Sequence, residues 1–109
     1  MKHTEIDDVS LSLARCVAER LRSNPELLDV ARKNIFRWSQ QNAGSKSLLR
    51  CYSEWQAILL LPLDEICVQL VAETEEGQRL RQNSPFAGVL SAAEVWEIKS
   101  RHRHATAAA

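Results

Sequence analysis

The chain has 109 residues and carries 14 basic and 14 acidic side chains, so its formal net charge is zero. This length suits one domain with its own hydrophobic core and is too short for two. Its 45% hydrophobic and 26% charged residues are typical of a globular protein and exclude general disorder. A neutral chain has no overall field that attracts nucleic acid, although a local basic patch can still bind phosphate.

The three cysteines lie far apart in the sequence, and none forms a CxxC pair: they are Cys16, Cys51 and Cys67. Each lies among apolar residues, which predicts buried free thiols in a reducing compartment. The N-terminus is polar and acidic where a signal peptide would be apolar. The longest apolar run, residues 57–63, is too short to cross a bilayer. We therefore expect a cytoplasmic protein without membrane contact.

Apolar residues recur every three or four positions through most of the chain, which predicts helices. A first amphipathic helix is expected to end near Ser23. Asn24-Pro25-Glu26 then predicts an N-cap, a first-turn proline and a first-turn acid for a second helix. That helix is expected to end at Asn42-Ala43-Gly44, because glycine favours a C-terminal cap. Ser45 can cap a third helix, whose apolar last turns, residues 58–61, are predicted to lie at the centre of the core.

Three further helices are predicted in the second half of the chain. Pro62 is expected to end the third helix and start a fourth. Thr74-Glu75-Glu76 predicts the start of a short fifth helix, which should be largely exposed, or covered by something other than its own core, because only Leu80 in it is apolar. Ser91-Ala92-Ala93-Glu94 has the pattern of a capping box and predicts the start of a sixth helix.

No stretch alternates with the period of a strand, and no internal repeat is present in the sequence. The prediction is therefore one all-α domain over residues 1–109, a single compact bundle of five to six short helices. Its C-terminal tail, from about residue 100, is expected to be frayed because terminal segments are often poorly held.

No residue pattern predicts catalysis. Adjacent carboxylates occur at Asp7-Asp8, Asp64-Glu65 and Glu75-Glu76, but each pair lies at a helix start, where the helix dipole favours acidic residues. His102 and His104 are two positions apart and do not share a helix face, which is unfavourable for a metal site. A glycine-rich phosphate loop and a nucleophile elbow are both missing from the sequence. We expect no enzyme activity, no catalytic residues, no metal and no cofactor.

A basic face on the first two helices is a candidate for nucleic-acid binding. Its residues are Arg15, Arg22, Arg32, Lys33 and Arg37. Such a face could lie along phosphates. Acidic residues are interspersed with these cations, however, so an ordinary solvated face explains the pattern as well. The junction at 23–25 is also short and constrained by proline, unlike a typical DNA-reading helix-turn-helix. A DNA-binding regulator remains one alternative.

Residues 79–90 interrupt the helical period, and we call them the 79–90 segment. Their sequence is Arg-Leu-Arg-Gln-Asn-Ser-Pro-Phe-Ala-Gly-Val-Leu. An irregular stretch of this composition is either a packed connection or a recognition surface. The predicted partner-binding residues are Arg79, Arg81, Gln82, Asn83, Phe86 and, on the sixth helix, Trp96. Arginine offers a rigid fork for acidic groups. Phe86, held between a proline and a glycine, would either plug the bundle or dock into a partner.

Much of the chain resembles a group of small helical bacterial proteins encoded in operons of toxin–antitoxin type. Residues 80–91, followed by Glu94 and Trp96, resemble the C-terminal signature of that group. Residues 17–38 are similar to its N-terminal part, and so are Glu54-Trp55, Ile58-Leu59 and Pro62-Leu63. The resemblance covers roughly residues 13–98, and the 79–90 segment is its most specific part.

The resemblance implies an antitoxin-like protein that binds and neutralises a cognate toxin. The neighbouring toxin gene in this group often encodes a nucleotidyltransferase-like protein or another toxin. Some similar sequences carry a helix-turn-helix module before this region, whereas only a short extension precedes it here. The resemblance supplies no binding residues, so the site residues rest on chemistry. A homodimeric structural or interaction protein is the other alternative, and self-association is therefore a further expectation to test.

Overall fold

The computed structural model describes residues 5–108, and the side chains of residues 8–103. The described chain forms six α-helices: α1 (Glu5–Ser23), α2 (Leu28–Gln41), α3 (Lys46–Ile58), α4 (Leu63–Leu70), α5 (Glu75–Arg81) and α6 (Ala92–Ala108). A short 3₁₀ helix, Pro25–Leu27, precedes α2. Since no strand occurs within residues 5–108, the predicted all-α fold is confirmed.

Helix α1 is the centre of the bundle, because it packs against α4, α5 and α6, while α2 packs against α3. Its buried face consists of Leu11, Ala14, Val17, Ala18 and Leu21. These residues recur every three or four positions, so they lie on one side of the helix, and the two alanines allow neighbouring helices to approach closely. The opposite side of the core is built around Trp55 of α3, which is fully buried.

Side-chain caps begin three of the helices where the sequence predicted them. Ser45 and Thr74 each accept a hydrogen bond from the backbone N–H three residues further on, at 3.4 and 3.0 Å. Ser91 and Glu94 form the reciprocal bonds of a capping box. Asn24, Pro25 and Glu26 take the predicted N-cap, first-turn proline and first-turn acid positions, but of the short 3₁₀ helix that precedes α2, and the Asn24 side chain makes no capping bond.

The turn between α3 and α4 corrects the prediction that residues 58–61 lie at the centre of the core. Helix α3 ends at Ile58, and the chain then turns toward Pro62, the N-cap of α4. Leu59 faces the core, whereas Leu60 is 85% exposed and Leu61 is 37% exposed. The helical period no longer applies in the turn, so consecutive leucines point in different directions.

The three cysteines are free thiols, as predicted, but they are not equally buried. Cys51 and Cys67 are buried, and Cys16 is half-buried. Burial raises the pKa of the Cys51 and Cys67 thiols, which therefore stay protonated at neutral pH and behave as small hydrophobic side chains.

Helix α6 continues to Ala108, beyond the frayed end predicted near residue 100. Within the described 5–108, no helix combines the length and apolar character needed to cross a membrane.

A glycine allows α5 to approach the end of α4. Gly77 is buried, and a Cβ atom added to it would lie 2.1 Å from the backbone oxygen of Ala72. A side chain at this position is therefore incompatible with the observed packing. Gly44, in the α2–α3 connection, has nothing within 4 Å of the corresponding position.

Replacing Gly77 with alanine should destabilise the fold by about 2 kcal/mol or more, because the clash is with backbone and requires α5 to move. Chemical denaturation monitored by circular dichroism measures the change. Gly44→Ala is the matched control, expected to stay within about 0.5 kcal/mol of the parent. Equal stability of the two variants would contradict the close approach of α5.

Candidate functional site

The buried side chain of Asn34 holds the 79–90 segment against α2. Its Nδ2 donates to the backbone oxygens of Pro85, at 2.8 Å, and Ala87, at 2.9 Å. Its Oδ1 accepts a 2.8 Å bond from the guanidinium of Arg37. Gly88 follows at φ 95°, in the left-handed region that favours glycine. This part of the segment is therefore fixed by the fold.

Phe86 is buried in the core and is 4% exposed. Its ring meets the ring of Trp55 edge to face, with centroids 5.7 Å apart and planes at 85°. Aromatic pairs favour this arrangement. The prediction that Phe86 contacts a partner is wrong, and the alternative, in which it plugs the bundle, is confirmed.

Arg81 is also buried, with 6% of its surface exposed. Its guanidinium donates to the backbone oxygens of Leu70, at 3.3 Å, and Ala72, at 2.6 Å. These carbonyls lie at and just beyond the end of α4, where backbone oxygens lack helical partners. Arg81 therefore joins α5 to the end of α4, and its predicted role as a partner contact is wrong.

Arg79 is exposed but engaged within the molecule. Its guanidinium lies 2.5 Å from Glu54 and 2.8 Å from Glu76. Hydrogen bonds to these carboxylates raise the pKa of Arg79, and the same contact lowers the pKa of Glu76. A partner would have to compete with two carboxylates for this side chain, which makes Arg79 a weaker binding candidate than its exposure suggests.

The other two polar candidates of the segment lie in depressions of the surface. Gln82 is exposed and Asn83 is half-buried. Both line a depression together with Trp38 and Tyr52. Asn83 and Arg79 line another, together with Lys46, Ser47, Leu48, Arg50 and Cys51. The structure thus brings the polar candidates close together, and Trp96 lines neither depression.

Trp96 is 68% exposed on α6. Helix α6 packs against α1 through its buried Ile98, which is two residues from Trp96 and so about 200° away around the helix. Lys99 and Arg103 follow Trp96 at intervals of three and seven residues, and both are exposed. The outward face of α6 therefore presents an indole flanked by two cations.

The start of α6 is anchored by Glu94. Its carboxylate accepts from the backbone N–H of Ser91 at 2.9 Å, and its second oxygen pairs with Arg20 of α1. The Ser91 hydrogen bond, followed by the bond from Arg20, lowers the pKa of Glu94. These contacts hold the first turn of α6, and so the outward position of Trp96, relative to α1.

The predicted basic face is divided in the structure. Arg15 and Arg22 on α1 face Glu73 at 3.9 Å and Asp64 at 2.5 Å. These carboxylates compete with phosphate at both positions. Of the three candidates on α2, Arg32 pairs with Asp29 at 3.0 Å, Arg37 bonds Asn34, and Lys33 is exposed. Of the predicted basic face, only the residues on α2 remain locally basic.

Three exposed residues of α2 and α3 were not among the residues predicted from the sequence. Phe36 is 67% exposed on α2, and Lys46 and Arg50 are exposed on α3. The signal that indicates them is the absence of any acidic residue between 30 and 53. Within the described side chains, no group of three or more His, Cys, Asp or Glu residues could hold a metal ion.

No family model, curated protein or solved structure matches this chain in the comparisons with known proteins.

Replacing Asn34 with aspartate should destabilise the fold by about 3 kcal/mol, because a carboxylate would face the Pro85 and Ala87 oxygens without a donor for either. Thermal unfolding at neutral pH measures the loss. Gln40→Glu makes the same chemical change at an exposed position of α2 and should have little effect. A fully stable Asn34→Asp variant would show that the amide does not hold the segment.

The lowered pKa of Glu94 predicts a pH-dependent contribution to stability. A carboxyl group with a lower pKa in the folded state stabilises fully above its unfolded pKa of about 4.3 and loses that contribution as the pH falls through the folded value. Glu94→Gln retains the capping geometry without the charge. The difference in melting temperature between parent and variant should therefore be largest near neutral pH and shrink as the pH falls through the lowered pKa of Glu94. A pH-independent difference would contradict the ionic contribution.

Proposed function

We propose that this protein is an antitoxin-like partner that binds a cognate toxin and neutralises it by covering the toxin's active surface. It acts by binding, without chemistry of its own. The resemblance of residues 80–91, Glu94 and Trp96 to proteins of toxin–antitoxin operons supports this proposal. The exposed Trp96 is the observation that carries it.

A mostly solvent-exposed tryptophan can contribute a large binding free energy when a partner buries it. Burying the exposed part of such a side chain is worth on the order of 3–4 kcal/mol by apolar area. Tryptophan and arginine are also the residues most often found at the energetic centre of a protein interface. Trp96 and the nearby Arg103 combine these two features on one helical face.

The neighbours of Trp96 indicate the chemistry of the partner. Ala92 precedes it by one turn and leaves room for close contact, while Lys99 and Arg103 add positive charge. A groove that accepts this face of α6 should be apolar at its centre and acidic at its rim. The toxin surface that we propose has this character.

The 79–90 segment has a secondary role in this proposal. Arg81 and five of its apolar residues belong to the core, so they shape the domain without touching the toxin: Leu80, Pro85, Phe86, Val89 and Leu90. Gln82 and Asn83 remain accessible and can add hydrogen bonds at the edge of an interface. Arg79 would contribute only after exchanging its carboxylate partners.

Replacing Trp96 with alanine should weaken toxin binding by about thirtyfold, which corresponds to about 2 kcal/mol at a central interface residue. The neighbouring gene product is co-expressed with each variant, and growth rescue and binding affinity are measured. Val68→Ala is the control, because Val68 is also apolar and 60% exposed but lies on α4. Thermal unfolding verifies that both variants are folded.

Full neutralisation by Trp96→Ala would overturn the role of Trp96. Light scattering of the protein alone provides a second check. A homodimer that dissociates on this substitution would assign the α6 face to self-association instead of toxin binding.

A further inference from the structure

One depression of the surface has a basic lining. Among the described side chains, the residues that line it include three cations and no carboxylate: Lys46, Ser47, Leu48, Arg50 and Cys51 of α3, Arg79 of α5, and Asn83. We call it the α3–α5 depression. A different depression, between α1 and α6, is lined by two arginines but also by Glu19. The α3–α5 depression is therefore the better candidate for binding an anion.

The two cations that α3 contributes lack acidic partners. Lys46 and Arg50 lie four positions apart, so they adjoin each other on the helix surface, and both are exposed. Among the side chains that the structure describes, no carboxylate forms an ion pair with either of them. They belong to a stretch, residues 30–53, with five basic side chains and no acidic one, whereas residues 54–78 have six acidic side chains and no basic one. Glu54, four positions after Arg50, is already engaged in an ion pair with α5.

Like charges at this spacing on a helix repel each other. An anion bound between Lys46 and Arg50 would replace that repulsion with two attractions. Arg79 is the third cation of the lining, but Glu54 and Glu76 compete with a ligand for it. Lys46 and Arg50 are therefore the principal contacts, and Arg79 is a secondary one.

The Cys51 thiol shows that separate parts of the chain converge at this depression. Burial raises the pKa of Cys51, while the charge of Arg79 and a hydrogen bond with the Asn83 side chain act in the opposite direction. Both effects require the guanidinium and the amide to lie close to the thiol. Side chains from α3, α5 and the chain just after α5 therefore surround one space.

The chemistry of these side chains fits a phosphate dianion. Lysine, arginine and amide groups all donate N–H bonds to anionic oxygens. A phosphate monoester carries close to two negative charges at neutral pH, which matches the two unpaired cations, whereas a carboxylate or a phosphodiester carries one. The depression has a volume of about 500 Å³, within the range of small-molecule sites and far more than a phosphate group alone fills. The remaining space suits the organic part of a small phosphorylated molecule.

We propose that the α3–α5 depression binds a phosphate dianion, with Lys46 and Arg50 as its principal contacts. The dianion is either inorganic phosphate or the phosphate group of a small phosphomonoester, and the size of the depression favours the phosphomonoester. This site differs from the basic face predicted from the sequence, which includes neither residue. It also goes beyond toxin binding, which we place on Trp96 of α6.

Isothermal titration calorimetry of the full chain at about 50 mM salt tests the proposal, because low salt leaves charge interactions weakly screened. The probes are inorganic phosphate, ribose phosphate and adenosine monophosphate, with ribose and adenosine as matched ligands without phosphate. The three phosphates should bind, and the two matched ligands should not. Tighter binding of a phosphomonoester than of inorganic phosphate assigns the site to phosphorylated small molecules, and equal or weaker binding assigns it to inorganic phosphate.

Substitutions in the depression should change the affinity in opposite directions. Lys46→Gln and Arg50→Gln should each reduce it about tenfold, because each removes one charge-assisted contact. Glu76→Gln should raise it about threefold, because it removes a carboxylate that competes for Arg79. Lys33→Gln is the matched control and should have no effect, since Lys33 is exposed and lies on α2, outside the depression.

The absence of binding by all three phosphate probes would overturn the proposal. An equal loss of affinity in Lys33→Gln and Arg50→Gln would also overturn it, because binding would then follow the total charge and not the depression. A loss of affinity in Glu76→Gln would contradict the contact with Arg79. Circular dichroism of each variant verifies that any loss of binding arises in a folded protein.

Discussion

The irregular segment after α5 is held inside the bundle by side chains that donate to its backbone, and the rest of the structure depends on this arrangement. A buried chain that is not helical leaves carbonyl oxygens without partners, and each such oxygen is costly. Asn34 supplies two donors to the oxygens of Pro85 and Ala87, and the Trp55 indole donates a 3.0 Å bond to the oxygen of Leu80 in the last turn of α5, just before the irregular segment. With those carbonyls satisfied, Phe86 can enter the core.

The same physical requirement explains the residue types found in this segment. A proline, a buried phenylalanine and a glycine at positive φ are needed to shape the chain beside Asn34. The sequence of this segment therefore reflects how the domain is built more directly than what the domain binds. For this reason the proposed toxin contact rests on an exposed side chain of α6, outside the 79–90 segment itself.

The helices could be predicted from the sequence because the helical period relates the spacing of residues along the chain to the direction in which their side chains point. The α1 stripe and the caps at Ser45, Thr74 and Ser91 are examples. The helical period predicted the wrong orientation for Leu60, because α3 had already ended before this residue. Sequence could predict the helices there, but the orientation of side chains in the turn depends on the path of the backbone.

Arg79 and Arg81 show why the burial of polar residues could not be predicted from the sequence. They are two positions apart on α5 and so point about 200° away from each other. Arg79 is exposed and Arg81 is buried, although the sequence predicts both as partner-binding residues. The long aliphatic part of an arginine side chain can cross an apolar layer when backbone oxygens are positioned to accept hydrogen bonds from its guanidinium. Those oxygens belong to the end of α4, and their position is a tertiary property.

The net charge is also a poor guide to the surface, because it sums the basic and acidic side chains without showing where they lie. The contacts Arg22–Asp64 and Arg79–Glu54 join basic side chains to the acidic stretch 54–78, so part of the opposite charge is matched inside the fold. A net charge of zero therefore does not describe the charge of a single helix: α2 carries Arg32, Lys33 and Arg37 against one acidic residue, Asp29.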